Sequence, residues 1–254
     1  MKNLQHLVHK LKGMMKLPEL DSFGKVLCVQ PHPDDADISM GGTIAKLSQK
    51  GIRVYYVTVT DGSAGTRDES LVGKKLAEIR KKEQEKAAEI LGVHELLWLD
   101  FEDLGDYTIE QVREKLIRII RKIEPDAVFT VDPFAPYEVH PDHLRCGMST
   151  AQAVSLYRLP KLVPGTSNHD VTAIGFFNTA FPNTFYPIEQ EHLNRKFQAI
   201  SQHKSQFDET SLQVLFSYLA EKSRAYSPVE GQLVEPFKVL PPVALHVISE
   251  AYML

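Results

Sequence analysis

The sequence predicts an α/β fold, a parallel sheet covered by helices on both faces, and three observations predict it. Apolar, β-branched segments alternate four times with helix-patterned segments between Val26 and Val131, joined by short connections. Polar, chemistry-bearing residues fall just after each of these strands, at the carboxyl ends where open α/β sheets bind ligands. A length of 254 residues, 43% hydrophobic and 24% charged, suits one large domain of ordinary globular composition.

The elements read in order. Residues 26–30 form a short buried strand. Residues 41–50 follow as a helix, stopped by Gly51. Residues 52–60 are rich in β-branched and aromatic side chains and make the second strand, followed by a polar loop from Asp61 to Thr66. A helix over 74–91 ends before Gly92, and 96–99 is the third strand. Thr108 and Gln111 have the capping-box spacing for a helix reaching Ile123, and 126–131 is the fourth strand. Right-handed crossovers and a strand order of 3-2-1-4 would set strands 1 and 4 side by side at the topological switch point. Beyond Thr166, residues 171–177 and 184–188 read as strands, and 189–203 and 211–225 as helices. The segment 233–247 reads as extended, broken by Pro236, Pro241 and Pro242. This is a C-terminal extension of the same domain, so 25–254 is one unit. Residues 1–24 form an N-terminal helical extension. Leu4, Leu7, Val8, Leu11, Met14 and Met15 recur there at near-helical spacing, for packing on the body or on a neighbouring subunit, or as a membrane-surface helix.

Several classes are disfavoured. A net charge of −4, with no long basic run, zinc-finger spacing or RNA-binding aromatic motif, argues against a nucleic-acid partner. No apolar run approaches the roughly 20 residues of a membrane span, and no secretory core follows the start. Cys28 and Cys146 lie far apart in apolar contexts and read as buried free thiols, which fits a cytoplasmic protein.

The chemistry concentrates in two clusters. Pro31-His32-Pro33-Asp34-Asp35-Ala36-Asp37 follows the first strand and leads into Gly41-Gly42-Thr43, and His140-Pro141-Asp142-His143 follows the fourth strand. His32 and Asp35, three apart in a loop entering a helix, can converge on one point, and His143 can complete a set of two histidines and a carboxylate. Three protein ligands leave a position open for water, as in catalytic zinc sites. Asp34 is then a spare carboxylate suited to general base. His140 could stabilise an oxyanion or protonate a leaving amine, and Asp142 could orient a histidine from outside the ligand set. Each has a plainer reading: Asp34 as a helix cap, Pro141 as a helix start. The same ligand set also occurs in non-heme iron oxygenases, which usually have double-sheet β folds. The glycines after the first strand are no dinucleotide fingerprint, since G-x-G-x-x-G is missing and the neighbouring acids would repel a pyrophosphate; close packing or a turn explains them. Arg80 lies on a helix dense in charge, either on its exposed face or turned inward to substrate hydroxyls. Asp103 could accept hydrogen bonds from sugar hydroxyls or serve as a turn acid.

At these residues the chain resembles the LmbE-like, or PIG-L, family of zinc-dependent de-N-acetylases, from about Lys25 to Phe237. The likeness rests on Pro31-His32-Pro33-Asp34-Asp35, Gly41-Gly42-Thr43, Thr60-Asp61-Gly62, the set Arg80, Glu83, Ala87, Leu91 and Gly92, and His140 to His143, in the family's order. It implies a Rossmann-like fold, Zn2+ (or another divalent metal such as Fe2+) held by His32, Asp35 and His143, Asp34 as base and His140 assisting the intermediate. It also implies contact of Arg80 and of Asp103, with Asp100 the near alternative, with the sugar. The segment from Asp132 to His140, Asp68 to Leu71, His203 to Phe207 and Glu235 to Leu240 are similar to the diacetylchitobiose deacetylase branch. That similarity implies removal of acetyl groups from GlcNAc-type amino sugars, a homo-oligomer (trimer or hexamer), and His246 reaching an active site, its own or a neighbour's. Other readings are deacetylation of a GlcNAc-malate type conjugate in thiol biosynthesis, amidase action on a mycothiol conjugate, and a non-catalytic sugar or nucleotide module. Where many members carry Glu after the paired aspartates, this chain has Ala36-Asp37.

Overall fold

The computed structural model describes residues 2–254. Seven strands form the sheet: β1 (Lys25–Gln30), β2 (Arg53–Thr60), β3 (Glu95–Phe101), β4 (Ala127–Val131), β5 (Ala173–Phe177), β6 (Thr184–Ile188) and β7 (Leu233–Leu240). They are ordered β3-β2-β1-β4-β5-β7-β6, so the expected 3-2-1-4 order holds. The parallel sheet expected from the strand-helix repeats is present, and the C-terminal extension adds further strands to it. Strands β1 to β5 run parallel, but β7 pairs antiparallel with both β5 and β6. Pro236 is compatible with this because Leu233 to Phe237 pair with β6, whereas only Lys238 to Leu240 pair with β5. The proline thus lies where one side of β7 needs no ladder donor. The extended segment expected to reach Val247 stops at Leu240, since Pro241 and Pro242 redirect the chain into a short 3-10 turn, Pro242–Leu245.

Helices α2 (Asp35–Gln49), α3 (Lys74–Leu91) and α6 (Gln190–Ile200) pack together on one face, and α4 (Ile109–Ile123) packs with α5 (Pro141–Leu156) on the other. Helix α7 (Glu209–Ala225) lies against β7, and α1 (Lys2–Met14) sends Val8 into the core. Helix α4 illustrates the local logic. Thr108 and Gln111 form the capping box, and Val112, Leu116, Ile117, Ile120 and Ile123 make a buried stripe at helical spacing. Each such buried side chain stabilises by about 1.5–3 kcal/mol. Among the described residues no helix is long and apolar enough to cross a membrane.

Helix α2 differs from its sequence reading, and the difference shapes the site. It begins at Asp35, not Gly41, and is kinked at Met40 (φ −140°, ψ 18°). Glu235, brought by β7, accepts the N–H groups of Gly42 (3.1 Å) and Thr43 (2.6 Å) and so caps the half beyond the kink. Buried Lys196 of α6 neutralises that carboxylate at 2.5 Å. The glycines permit the close approach: a Cβ on Gly41 would meet Lys196 Cγ at 2.9 Å, and one on Gly42 would meet Ile188 Cδ1 at 2.7 Å.

Candidate active site

Because β1 and β4 are neighbours, the loops leaving their carboxyl ends bring His32 to Asp37 beside His140 to His143. His32 Nδ1 lies 3.2 Å from Asp35 Oδ2, and His143 Nε2 lies 3.5 Å from Asp35 Oδ1. The ligand atoms of His32, Asp35 and His143 all fall within 4.8 Å of one another. Each histidine's other ring nitrogen faces carboxylates: His32 Nε2 has Asp103 at 3.3 Å and Asp142 at 3.4 Å, and His143 Nδ1 has Glu138 at 3.0 Å. With protons on those outer nitrogens, both rings turn a lone pair toward Asp35. This donor set of two imidazoles and one carboxylate, with the outer nitrogens held by acids, fits a divalent metal of the zinc type.

Asp34 occupies the N-cap position of α2 yet makes no capping hydrogen bond with its side chain, so the capping role is not what its carboxylate does. Its backbone is left-handed (φ 110°), a strained conformation that aspartate tolerates better than most residues. Its N–H donates to Gln84 Oε1 at 2.9 Å, and Arg80 Nη2 lies 3.2 Å from its Oδ2. Burial pushes the Asp34 carboxyl up to about 6, against the pull of the Arg80 charge. Asp35 goes the other way: burial raises it, but the nearby His32 and His143, with the His32 backbone N–H donating to Oδ2 at 2.9 Å, outweigh that and hold it below the usual carboxylate range. Two adjacent acids are thereby separated in acidity, one suited to ligation and one to proton transfer.

His140 is the N-cap of α5, with Pro141 as its first residue, so the helix-start reading of Pro141 and its place in the cluster coexist. Nδ1 of His140 accepts the N–H of Asp142 at 3.3 Å, which leaves Nε2–H as the donor of the neutral ring. Burial, with His32 and His143 close by, lowers its pKa and favours that neutral form. Asp142 is fully buried and accepts from Tyr107 (2.7 Å) and the Leu104 N–H (2.9 Å). Burial raises its pKa, but these bonds and the one from His32 win, so it stays ionised below the usual range.

The remaining sequence candidates fall as follows. Arg80 is buried rather than on an exposed face, donating to Pro33 O (2.7 Å), Gly62 O (3.1 Å) and Asp34. Asp103 is buried against His32, whereas Asp100 is exposed. His246 is exposed just after the 3-10 turn and joins neither the group of His32, Asp35 and His143 nor the second group that could hold a metal, His32, Asp103, His140 and Asp142, among the described residues. Asp37 is fully buried, accepting from Tyr56 (2.9 Å) and Gln84 (2.9 Å) with His203 at 2.8 Å. Sequence reasoning missed Glu138, Gln84 and His203. Glu138, two residues before the His140 cluster, was detectable by position. Gln84 was not, because its partners come from distant segments, and His203 stood only within a segment of likeness, its partner Asp37 being equally distant.

Residues 27–154 match the PIG-L family, described as GlcNAc-PI de-N-acetylase. The chain is 39% identical over 254 residues to diacetylchitobiose deacetylase of Thermococcus kodakarensis, covering 98% of this chain and 94% of that protein. Its fold matches N,N'-diacetylchitobiose deacetylase of Pyrococcus horikoshii with a TM-score of 0.88 at 35% identity, covering 100% of this chain and 97% of that one. A probable N-acetyl-alpha-D-glucosaminyl L-malate deacetylase 2 of Bacillus cereus is 37% identical over 145 residues, 54% of this chain and 62% of that protein.

Proposed function

The chain belongs to the PIG-L family, and from that premise we propose that it is a metal-dependent deacetylase that hydrolyses the N-acetyl group of GlcNAc-type sugars, N,N'-diacetylchitobiose or GlcNAc, releasing acetate. The observation that carries the reading is the triplet of His32, Asp35 and His143 with a spare buried carboxylate, Asp34, beside it. The likeness to the two diacetylchitobiose deacetylases runs over nearly the whole chain and supports the substrate class.

His32, Asp35 and His143 would hold the metal, with zinc the reading the donors favour. When bound, it supplies Lewis acidity toward an amide carbonyl and makes water easier to deprotonate at neutral pH. Asp34, a carboxylate at neutral pH, takes the proton from the attacking water. Arg80 holds that carboxylate in place through Nη2. As the carbonyl oxygen gains charge, the Nε2–H of neutral His140 is the donor available to it. The C–N bond breaks as the amine takes the proton held by Asp34, leaving acetate and a free amino sugar. Asp103 and Asp142 keep His32 oriented. Arg80 and Asp103 thus serve the reacting groups, beside the sugar contacts the resemblance implies. The reading extends to a cytoplasmic homo-oligomer, supported by two free buried cysteines and by exposed Leu4, Leu7 and Met14 on α1.

Acetate release from N,N'-diacetylchitobiose and from GlcNAc, measured on protein of known metal content, tests the proposal. Release from either sugar at one metal per chain supports it. No release from the metal-loaded protein would move the substrate to a GlcNAc conjugate.

A further inference from the structure

The carboxylate of Glu138 makes two contacts, and both reach the second histidine cluster. Its Oε1 accepts the backbone N–H of His140 at 2.9 Å, and its Oε2 lies 3.0 Å from His143 Nδ1. Its own N–H donates to Ala135 O at 3.2 Å, closing the turn. The residue before it, Tyr137, has φ +71°, an unfavourable conformation for an aromatic residue, with its side chain exposed. The turn and the bond to the His140 N–H set the Glu138 carboxylate against the ring of His143.

A neutral imidazole carries one N–H, and which nitrogen bears it follows from the partner of the other. A carboxylate can only accept, so Glu138 places the proton on Nδ1 of His143. That leaves the lone pair on Nε2, the atom 3.5 Å from Asp35 Oδ1. With the proton on Nε2 instead, the ring would turn an N–H toward the ligand position and could not bind a metal. His32 has two acids on its outer nitrogen, Asp103 and Asp142, whereas His143 has Glu138 alone among the described residues. Loss of one acid is buffered at His32 and unbuffered at His143.

We propose that Glu138 is a positioning residue that locks His143 in the Nδ1–H tautomer and in the ring orientation that ligates, so that metal affinity depends on it. This deepens the reading of the site as a metal centre and rests on it. The test is chelator competition for Zn2+ in the wild type, Glu138→Gln and Glu138→Ala, with the melting temperature of each metal-free protein measured beside it. A Co2+-substituted sample adds the visible ligand-field spectrum, which reports the ligand geometry directly. Glu138→Gln has nearly the same volume and can still accept from His140, but it presents an amide N–H to Nδ1 and favours the wrong tautomer. Both variants are expected to bind Zn2+ about 10–100-fold more weakly, with an altered Co2+ spectrum and little change in metal-free melting. Affinity within twofold of wild type in both variants would overturn the proposal. So would a loss that appears only in metal-free melting, which would mark Glu138 as a loop brace. A wild type that binds no Zn2+ would overturn the metal-centre reading and this inference with it. Tight wild-type binding with unchanged variants overturns this inference alone.

Discussion

Replacing Asp34 by Asn should stop the reaction while leaving the site built. The left-handed backbone at Asp34 (φ 110°) is one that asparagine also tolerates. No helix cap is lost, because the Asp34 side chain makes none. The amide oxygen can still accept from Arg80, and Arg80 keeps its bonds to the carbonyls of Pro33 and Gly62. Burial outweighs the Arg80 charge at this carboxylate, so exchanging it for a neutral amide should cost little stability. The amide has no basic oxygen, so loss of the general base should lower kcat about 10²–10⁴-fold, equivalent to roughly 3–5 kcal/mol of barrier. KM should change little, since the residue acts on water. Acetate release from N,N'-diacetylchitobiose, with metal content and melting measured on the same samples, reads all of this. A fall in kcat of less than tenfold at unchanged metal content would refute the base assignment, and so would a fall that merely tracks lost metal. In the wild type the active form of Asp34 is the carboxylate, and burial pushes its carboxyl up to about 6. Activity should therefore be present above about pH 6 and fade as pH falls through that value, or somewhat lower because a bound cation favours the carboxylate.

Other outcomes follow from the same contacts. Removing the metal with a chelator should abolish acetate release, and about one equivalent of Zn2+ per chain should restore it, as measured by titration; recovery without added metal would contradict the site. Glu235→Ala should strand the buried ammonium of Lys196 and uncap the second half of α2, costing about 3–5 kcal/mol and lowering the melting temperature by on the order of 10 °C in a thermal melt. For His203, burial opposes the charge, but the bond to Asp37 wins and raises its pKa above the ordinary value. The stabilisation from that pair is fully present below the usual histidine range, about 6.5, and is lost as pH rises through the raised folded value. The stability difference between wild type and His203→Gln should accordingly shrink on going to alkaline pH in denaturant titrations.

The sequence by itself determined the repeating strand-helix order, because hydrophobic periodicity is local and survives without a partner. It also determined the residue types of both clusters and, through the capping box of Thr108 and Gln111, the start of α4. The 3-2-1-4 order was legible because short crossovers and a fixed handedness leave few arrangements. The start of α2 was not legible: the kink at Met40 is held by Glu235 and Lys196, roughly 190 and 150 residues further along the chain, and no local rule encodes a cap supplied from there. The antiparallel placement of β7 was hidden for a similar reason, since a strand's pattern specifies a face and not a direction. At the site, sequence could name His32, Asp34, Asp35, Asp103 and His143 as acids and imidazoles. Only the tertiary structure decided which carboxylate faces which ring nitrogen, and that Arg80 lies buried against Asp34. Protonation states and tautomers follow from burial and from partners across the sheet, and those exist only once distant strands have been brought side by side.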